Sequence, residues 1–368
     1  MNAPQSAPSQ AIPSQAVQTP VLSPGKFWGL RRMADGGGRF KMLAVDQRPP
    51  IKTRVAEARG EEGPRYGDVR AVKRALMEAL APHASAVLAD PTYALSDAMT
   101  VLAPHHGLVV TLEDSVFGEG RDGRLSKAID DWSVSKIKRA GGDAVKVLTW
   151  YHPDQDAASG QAQRDFTKRV GEACARYDIP FLLEMLLYPL AGDTGQTKDY
   201  VEQAGKRADH VLKTVETFAA PDYGVDVFKL ESPVPAKDVP PPGDGATAAL
   251  FAEMGRLAGR PWVMLSAGAS QAAFRNVLHY AFEAGASGFL AGRAIWWDAF
   301  QHFPDMAAME TALSGPAADY MKELNALADA QARPWTAWFD EGAEGLPRPA
   351  GWESEWMQGA YADLEGRL

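Results

Sequence analysis

The chain has 368 residues, 46% of them apolar and 23% charged, an ordinary globular composition with enough material for one large core or two modest ones. Its formal net charge of −9, with no basic stripe, excludes a surface built to neutralise nucleic-acid phosphates. No apolar run reaches the roughly 18 residues that a membrane-spanning helix needs, and the single cysteine, Cys174, excludes an internal disulfide and fits a reducing cytoplasm.

Residues 1–25 are rich in Pro, Ser, Gln and Ala and lack the charged start and apolar block of a secretory signal, so they read as a disordered tail. From Lys41 onward, short apolar runs alternate with longer amphipathic segments. Eight runs stand out: 42–46, 86–90, 108–113, 144–149, 180–187, 225–231, 262–266 and 288–291. Runs this short and this apolar suit strands covered on both faces, as in a parallel sheet. The segments between them read as helices. Over 68–80, Val69, Val72, Leu76 and Leu80 share one face behind an Asp68 N-cap. Over 200–218, Val201, Ala204, Val211, Val215 and Phe218 do the same, and Ser270 caps a helix that ends near Gly285. Cys174 falls in the helical stretch 170–176, where a small buried thiol is expected. The helix between Pro91 and Gly107 is short, and Pro104-His105-His106-Gly107 reads as a turn. Residues 234–245 form a Pro- and Gly-rich loop after the sixth run. Eight strand-and-helix units in succession predict an α/β fold, a single (β/α)8 TIM barrel over 26–340, with an appendage at 341–368 that carries Trp352 and Trp356.

Four ions interrupt or end these runs: Asp46, Lys146, Glu184 and Lys229, in the first, fourth, fifth and sixth. An unpaired ion in a dry core is unfavourable by several kcal/mol, so each needs a partner or water. In a barrel these positions converge toward the mouth, where such folds place their chemistry. Taken singly, each reads equally well as half of a structural ion pair; together they read as a reactive site. Two amines and two carboxylates can run Schiff-base chemistry. A lysine whose pKa falls toward neutrality attacks a carbonyl, the protonated imine accepts the electrons of a breaking carbon–carbon bond, and a carboxylate shuttles protons. The residues alone do not decide between Lys146 and Lys229 as the nucleophile. The seven histidines show no HxH or HExxH spacing, so no catalytic metal and no cofactor is expected.

After the seventh run, Leu265-Ser266-Ala267-Gly268-Ala269-Ser270 leads into a helix, and after the eighth comes Gly292-Arg293-Ala294. Backbone N–H groups of small residues at helix N-termini, with Arg293 as a bidentate partner, suit a phosphate or another tetrahedral anion such as sulfonate. Ser266, Ala267, Gly268, Gly292 and Arg293 are the candidates for that site. Gln47 and Arg48 either meet a second anionic group or sugar hydroxyls, or Arg48 pairs with an acid.

As an ordered set, Met42-Leu-Ala-Val-Asp-Gln-Arg48, Asp143-Ala-Val-Lys-Val-Leu148, Phe181-Leu-Leu-Glu184, Asp226-Val-Phe-Lys-Leu-Glu231, Leu265-Ser-Ala-Gly268 and Gly292-Arg-Ala294 resemble the tagatose-1,6-bisphosphate aldolase family of class I aldolases, which also contains sulfofructosephosphate aldolase. The resemblance implies that Lys229 carries the Schiff base and that Glu184 is the acid/base. It also implies that Asp46 and Lys146 orient and tune the site, and that Ser266, Gly268 and Arg293 hold the anionic end. The implied reaction cleaves a phosphorylated ketose to dihydroxyacetone phosphate and an aldehyde. Pro49-Pro50, the loop at 240–245 and the Trp-rich tail depart from the family's pattern and bear on substrate identity. The rival functions on this fold are an isomerase or epimerase using Glu184 and Asp46, and a regulatory protein that keeps the pocket. The expected partner is a small sugar phosphate rather than nucleic acid or membrane. Trp296, Trp297 and Phe300 serve equally as a face between copies of a homo-oligomer or as a helix face turned to the core.

Overall fold

A computed structural model describes residues 22–60, 63–119, 123–190, 192–193, 202–203, 205–339, 346–347 and 349. Eight parallel strands form a closed barrel: β1 (Phe40–Ala44), β2 (Ala86–Ala89), β3 (Gly107–Thr111), β4 (Ala144–Trp150), β5 (Phe181–Leu186), β6 (Val227–Leu230), β7 (Trp262–Met264) and β8 (Gly288–Ala291). Each strand pairs with the next in sequence, and β8 closes on β1. All eight apolar runs therefore become strands of one (β/α)8 barrel.

Around it lie α1 (Pro24–Met33), α2 (Pro49–Arg59), α3 (Tyr66–Leu80), α4 (Leu95–Val101), α5 (Val134–Arg139), α6 (Ala157–Arg176), α7 (Ala208–Phe218), α8 (Gly245–Ala258), α9 (Gln271–Glu283), α10 (Arg293–Phe300), α11 (Met306–Ala312) and α12 (Ala318–Gln331). No described helix is long and apolar enough to cross a membrane.

Strand alternation sorts the side chains into two cores. Met42, Ala44, Leu88, Val109, Ala144, Leu182, Val227, Val263 and Leu290 fill the barrel interior. Their neighbours Leu43, Val87, Val110, Val145, Leu183, Phe228 and Phe289 face outward into the helical layer. Fully burying each such Val, Leu or Phe contributes about 1.5–3 kcal/mol, so the two layers carry most of the driving force for closure.

The floor of the barrel is closed by α1. Its Leu30 and Met33 pack with Phe40, Met42 and Trp335, and Gly29 lies so near Asp143 and Pro180 that a Cβ would sit 2.4 Å from the Asp143 carbonyl oxygen. Asp143 and Asp226 accept backbone N–H groups near the starts of β3 and β5, from Leu108 and Phe181, both at 2.8 Å. They also take Arg32 and Lys26 of α1, at 3.4 and 2.8 Å. Because α1 opens at Pro24, the expected tail at 1–25 ends inside a helix; residues 1–21 lie outside the described residues.

Several local expectations are corrected. Asp68 is not an N-cap: α3 starts two residues earlier, and Asp68 sits in its first turn, bound by Arg59 at 2.9 and 3.0 Å. The helix expected over 200–218 begins only at Ala208, with residues 202–203 non-helical, and Val201 and Ala204 lie outside the described residues. Pro49 and Pro50 open α2, where their missing N–H groups are not needed. A short antiparallel pair, Gly118–Glu119 with Arg124–Leu125, follows β3 and has no counterpart among the expected elements. Ser270 does cap α9, accepting from the Ala273 N–H at 3.3 Å. Trp296 and Phe300 are fully buried within the chain, with Trp296 Nε1 donating to the Ala44 carbonyl at 3.0 Å, so they belong to the core. Most of 341–368, with Trp352 and Trp356, lies outside the described residues.

Candidate active site

The four ions share the inward parity of their strands. Lys146 follows Ala144 on β4, Glu184 follows Leu182 on β5, Lys229 follows Val227 on β6, and Asp46 lies two residues beyond Ala44 at the end of β1. The apolar interior thus gives way to a charged layer at the C-terminal ends of the strands. The register of β5 on β6 sets Glu184 opposite Lys229, and Lys229 Nζ donates to Glu184 Oε2 at 2.9 Å. Lys146 Nζ reaches the same oxygen at 2.8 Å, Asp46 Oδ2 at 3.0 Å and Glu113 Oε1 at 2.7 Å. Lys229, 4% exposed, faces this enclosed cluster rather than bulk solvent.

Glu113 is a member of the cluster that the sequence reading did not single out. It ends the third run like any polar residue that stops a strand. Its parity with Val109 and Thr111 was the available signal, and Thr111 Oγ1 donates to Glu113 Oε2 at 2.6 Å. Arg48 Nη2 donates to the Glu113 carbonyl at 2.9 Å and stands 3.9 Å from its Oε1, so pairing with an acid is realised for this arginine. Among the described residues, Asp46 Oδ1, Gln47 Oε1 and Arg48 Nε are buried without a hydrogen-bond partner.

Charge in the cluster is set by burial against close opposite charges. Burial raises the pKa of Asp46, and Lys146, Lys229 and Arg48 more than reverse it, holding the carboxyl well below its ordinary range. Glu184 is kept below its ordinary value by Lys146 and Lys229 in spite of its burial. Burial works against a charge on Lys146, yet Asp46, Glu113 and Glu184 outweigh it and hold this ammonium well above the usual lysine value.

Beside β6, β7 runs into Ser266, Ala267 and Gly268. Ala267 and Gly268 are both left-handed, with φ of 45° and 81°, and the Ala269 N–H closes the turn on the Ser266 carbonyl at 2.7 Å. A side chain at 268 would meet the Arg293 guanidinium at 3.5 Å. At Gly292 a Cβ would lie 2.7 Å from the Ala44 carbonyl oxygen and 2.8 Å from Gln47 Nε2, so only glycine lets this turn rest against β1. The first N–H groups of α10 have no intrahelical acceptor, which leaves Arg293 and Ala294 at a positive helix end.

One pocket at the barrel mouth is lined by Asp46, Gln47, Arg48, Glu113, Lys146, Glu184, Lys229, Ser266, Ala267, Gly292 and Arg293. Gly268 lies just behind it, in an adjoining depression with Ser270, Arg293 and Trp297. Among the described residues, no histidine or cysteine lines the main pocket, and the three carboxylates that face it clasp Lys146.

Known proteins match the chain over most of its length. A family model described as DeoC/LacD family aldolase matches residues 40–298. The tagatose 1,6-diphosphate aldolase of Listeria monocytogenes is 33% identical over 326 residues, covering 85% of this chain and 94% of that protein. The tagatose 1,6-diphosphate aldolase of Lactococcus lactis is 32% identical over 329 residues, covering 86% and 99%. Among solved structures, an archaeal fructose 1,6-bisphosphate aldolase shares the fold, with a TM-score of 0.52 at 17% identity over 82% of this chain and 98% of that one. With the family model matching well over half its length and relatives this similar along nearly the whole barrel, the chain belongs to the DeoC/LacD family of aldolases and is a lyase.

Proposed function

We propose that this aldolase cleaves a phosphorylated ketose through a Schiff base on Lys229, with Glu184 moving the protons. The observation that carries the reading is the unequal setting of two buried lysines in one pocket. Lys146 is clasped by three carboxylates and held protonated, and a protonated amine is not a nucleophile. Lys229 touches one described carboxylate, Glu184, and has the ammonium of Lys146 on the other side of that same oxygen. Lys229 is therefore the less encumbered of the two amines and has a proton acceptor within hydrogen-bond reach.

The steps follow from these contacts. Glu184, held as a carboxylate, takes the proton that Lys229 sheds, and neutral Nζ adds to the ketose carbonyl. Glu184 returns the proton to the departing hydroxyl, water leaves and the iminium forms. The carboxylate, free again, takes the proton of the β-hydroxyl as the carbon–carbon bond breaks. The bond's electron pair moves onto the iminium as an enamine, and the aldehyde departs. Protonation of the enamine carbon by Glu184 and hydrolysis release the three-carbon ketone phosphate and restore Lys229. Asp46 Oδ1 and Gln47 Oε1 are acceptors for sugar hydroxyls. Ser266, Ala267, Gly268, Gly292 and Arg293 take a phosphate, and Arg48 is available to a second polar group. The relatives, tagatose 1,6-diphosphate aldolases, point to a ketose 1,6-bisphosphate of the tagatose type. We assign the reaction to the cytoplasm, where phosphorylated sugars are made and the lone buried Cys174 stays reduced.

Sodium borohydride added during turnover of tagatose 1,6-bisphosphate tests the reading. It should leave a reduced adduct on the peptide that contains Lys229, and Lys229→Ala should lose on the order of 10⁴-fold or more in kcat. An adduct on Lys146, or turnover with no trapped lysine, would end it.

A further inference from the structure

Outside the pocket, the described residues hold one cluster of metal-ligating side chains. His152 and Asp154 follow β4, and His210 stands in the first turn of α7; each offers a donor atom, and the three atoms lie within 4.8 Å of one another. His152 is buried, at 5% exposure. His210 Nε2 is 3.2 Å from Asp154 Oδ2, and the two imidazole rings meet edge to face at 4.7 Å. The contact between His210 and Asp154 accounts for two of these groups. It does not explain why a second imidazole, enclosed by the protein, converges on the same point.

We propose that His152, Asp154 and His210 form a site for one divalent ion of the zinc type, which ties the loop after β4 to the start of α7. A tetrahedral ion about 2.0–2.1 Å from each donor sets its ligands about 3.3 Å apart, with water in the fourth position. The His210–Asp154 separation already matches that spacing, and His152 needs to move by little more than an ångström or so to close on it. Two imidazoles and one carboxylate suit a borderline ion of this class and are poor ligands for magnesium or calcium, which prefer an all-oxygen shell. His152 Nδ1 currently accepts the Asp154 N–H at 3.1 Å. Ligation through Nδ1 exchanges that bond for a metal bond. Ligation through Nε2 turns the ring over and moves its proton to Nδ1. Either change gives up that hydrogen bond, and the ion also replaces the direct His210–Asp154 contact, any proton on the ligating His210 Nε2 passing to solvent; these losses are small beside the free energy of metal ligation.

The ion would act on architecture, because the cluster does not line the pocket that holds Lys229. A loaded site therefore fixes the first turn of α7 to the loop after β4. The test uses full-length protein stripped with a chelator, dialysed, and titrated calorimetrically with zinc chloride. The expected result is one equivalent bound per chain with a rise in Tm. His210→Ala and Asp154→Ala, both on the outer side of the cluster, should each weaken binding about 100-fold or more. His105→Ala serves as a control for the chain's other histidine pair and should change nothing. Absence of saturable binding, or undiminished affinity in either cluster variant, overturns the proposal. Borohydride trapping on Lys229 is run on the stripped protein, so the two readings fail separately.

Discussion

Lys73 and Lys146 are both enclosed, and each rests against acids at the C-terminal end of a barrel strand. Lys73 reaches from α3 to Asp90, just past β2, and also donates to the Val45 carbonyl at 2.7 Å. The other Asp90 oxygen accepts the Thr92 and Tyr93 N–H groups at 3.0 and 2.8 Å. Every oxygen of that aspartate has a partner, and the pair is sealed between strand and helix. The Lys146 cluster is equally buried but opens on a pocket and keeps Asp46 Oδ1, Gln47 Oε1 and Arg48 Nε without partners. Their electrostatics also part: burial draws Lys73 below the ordinary lysine value, which Asp90 does not restore, whereas three acids carry Lys146 well above it. Burial of charge alone therefore does not identify a working site. What separates the two clusters is the pocket beside the second and its unmet polar atoms, which a polar ligand would satisfy.

The contrast breaks or holds first on activity. Glu184→Gln keeps the shape of the pocket and removes the proposed proton carrier, so kcat should fall by about 10²–10⁴-fold, with Lys229 still present to be trapped. Asp90→Asn, the matching change in the sealed pair, should leave the kcat of the folded enzyme unchanged. Steady-state kinetics on both variants, normalised to folded protein by circular dichroism, decides it. Equal losses would show that the two clusters are of one kind.

Stability gives the next largest effect. Lys73→Met strands the Asp90 carboxylate in the core and should lower the unfolding free energy by about 3–5 kcal/mol, as removal of one partner from a buried ion pair does. Urea unfolding at neutral pH measures this. Arg293→Lys, by contrast, should leave stability nearly untouched and raise KM for a bisphosphorylated ketose by about 10-fold or more, since a point charge does not replace the bidentate fork.

The sequence made the barrel readable because strands covered on both faces are short and apolar, with room for a helix before the next, and all eight carry that signature. It concealed α1, whose start at Pro24 is submerged in a Pro- and Ser-rich composition, although proline is a good first residue of a helix. It also overran α7, because Val201 and Ala204 continue the apolar period of a helix that starts at Ala208. Within the site, Lys146, Glu184 and Lys229 were conspicuous as ions inside apolar runs, and Asp46 as an ion closing one and followed by Gln47-Arg48. Glu113 ends its run in the same way as Asp46 but is followed by Asp114, in a polar stretch that reads as an ordinary strand end. Only the inward parity of Val109, Thr111 and Glu113 marks it, and parity becomes informative once the closed barrel shows which face is inside. His152, Asp154 and His210 come from two elements distant in sequence, so no local spacing could join them.

The smallest expected effect is the pH dependence of the pocket's own ion pairs. Asp46 and Glu184 have folded pKa values below their unfolded ones, which are about 3.9 and 4.3, so each adds stability that is complete above that range. That stability is lost as pH falls through the lower folded values. Lys146 is raised, so its contribution is complete below the unfolded lysine value of about 10.4 and is lost only as pH rises through the still higher folded value. Between about pH 5 and 10 the cluster is therefore at full strength. The difference in unfolding free energy between wild type and Asp46→Asn should be flat from about pH 6 to 8 and shrink steadily below about pH 4. Urea melts at half-unit steps measure it. A difference that grows on acidification would mean that Asp46 enters the folded state protonated, and the ionic clasp on Lys146, with its contrast to Lys73, would have to be withdrawn.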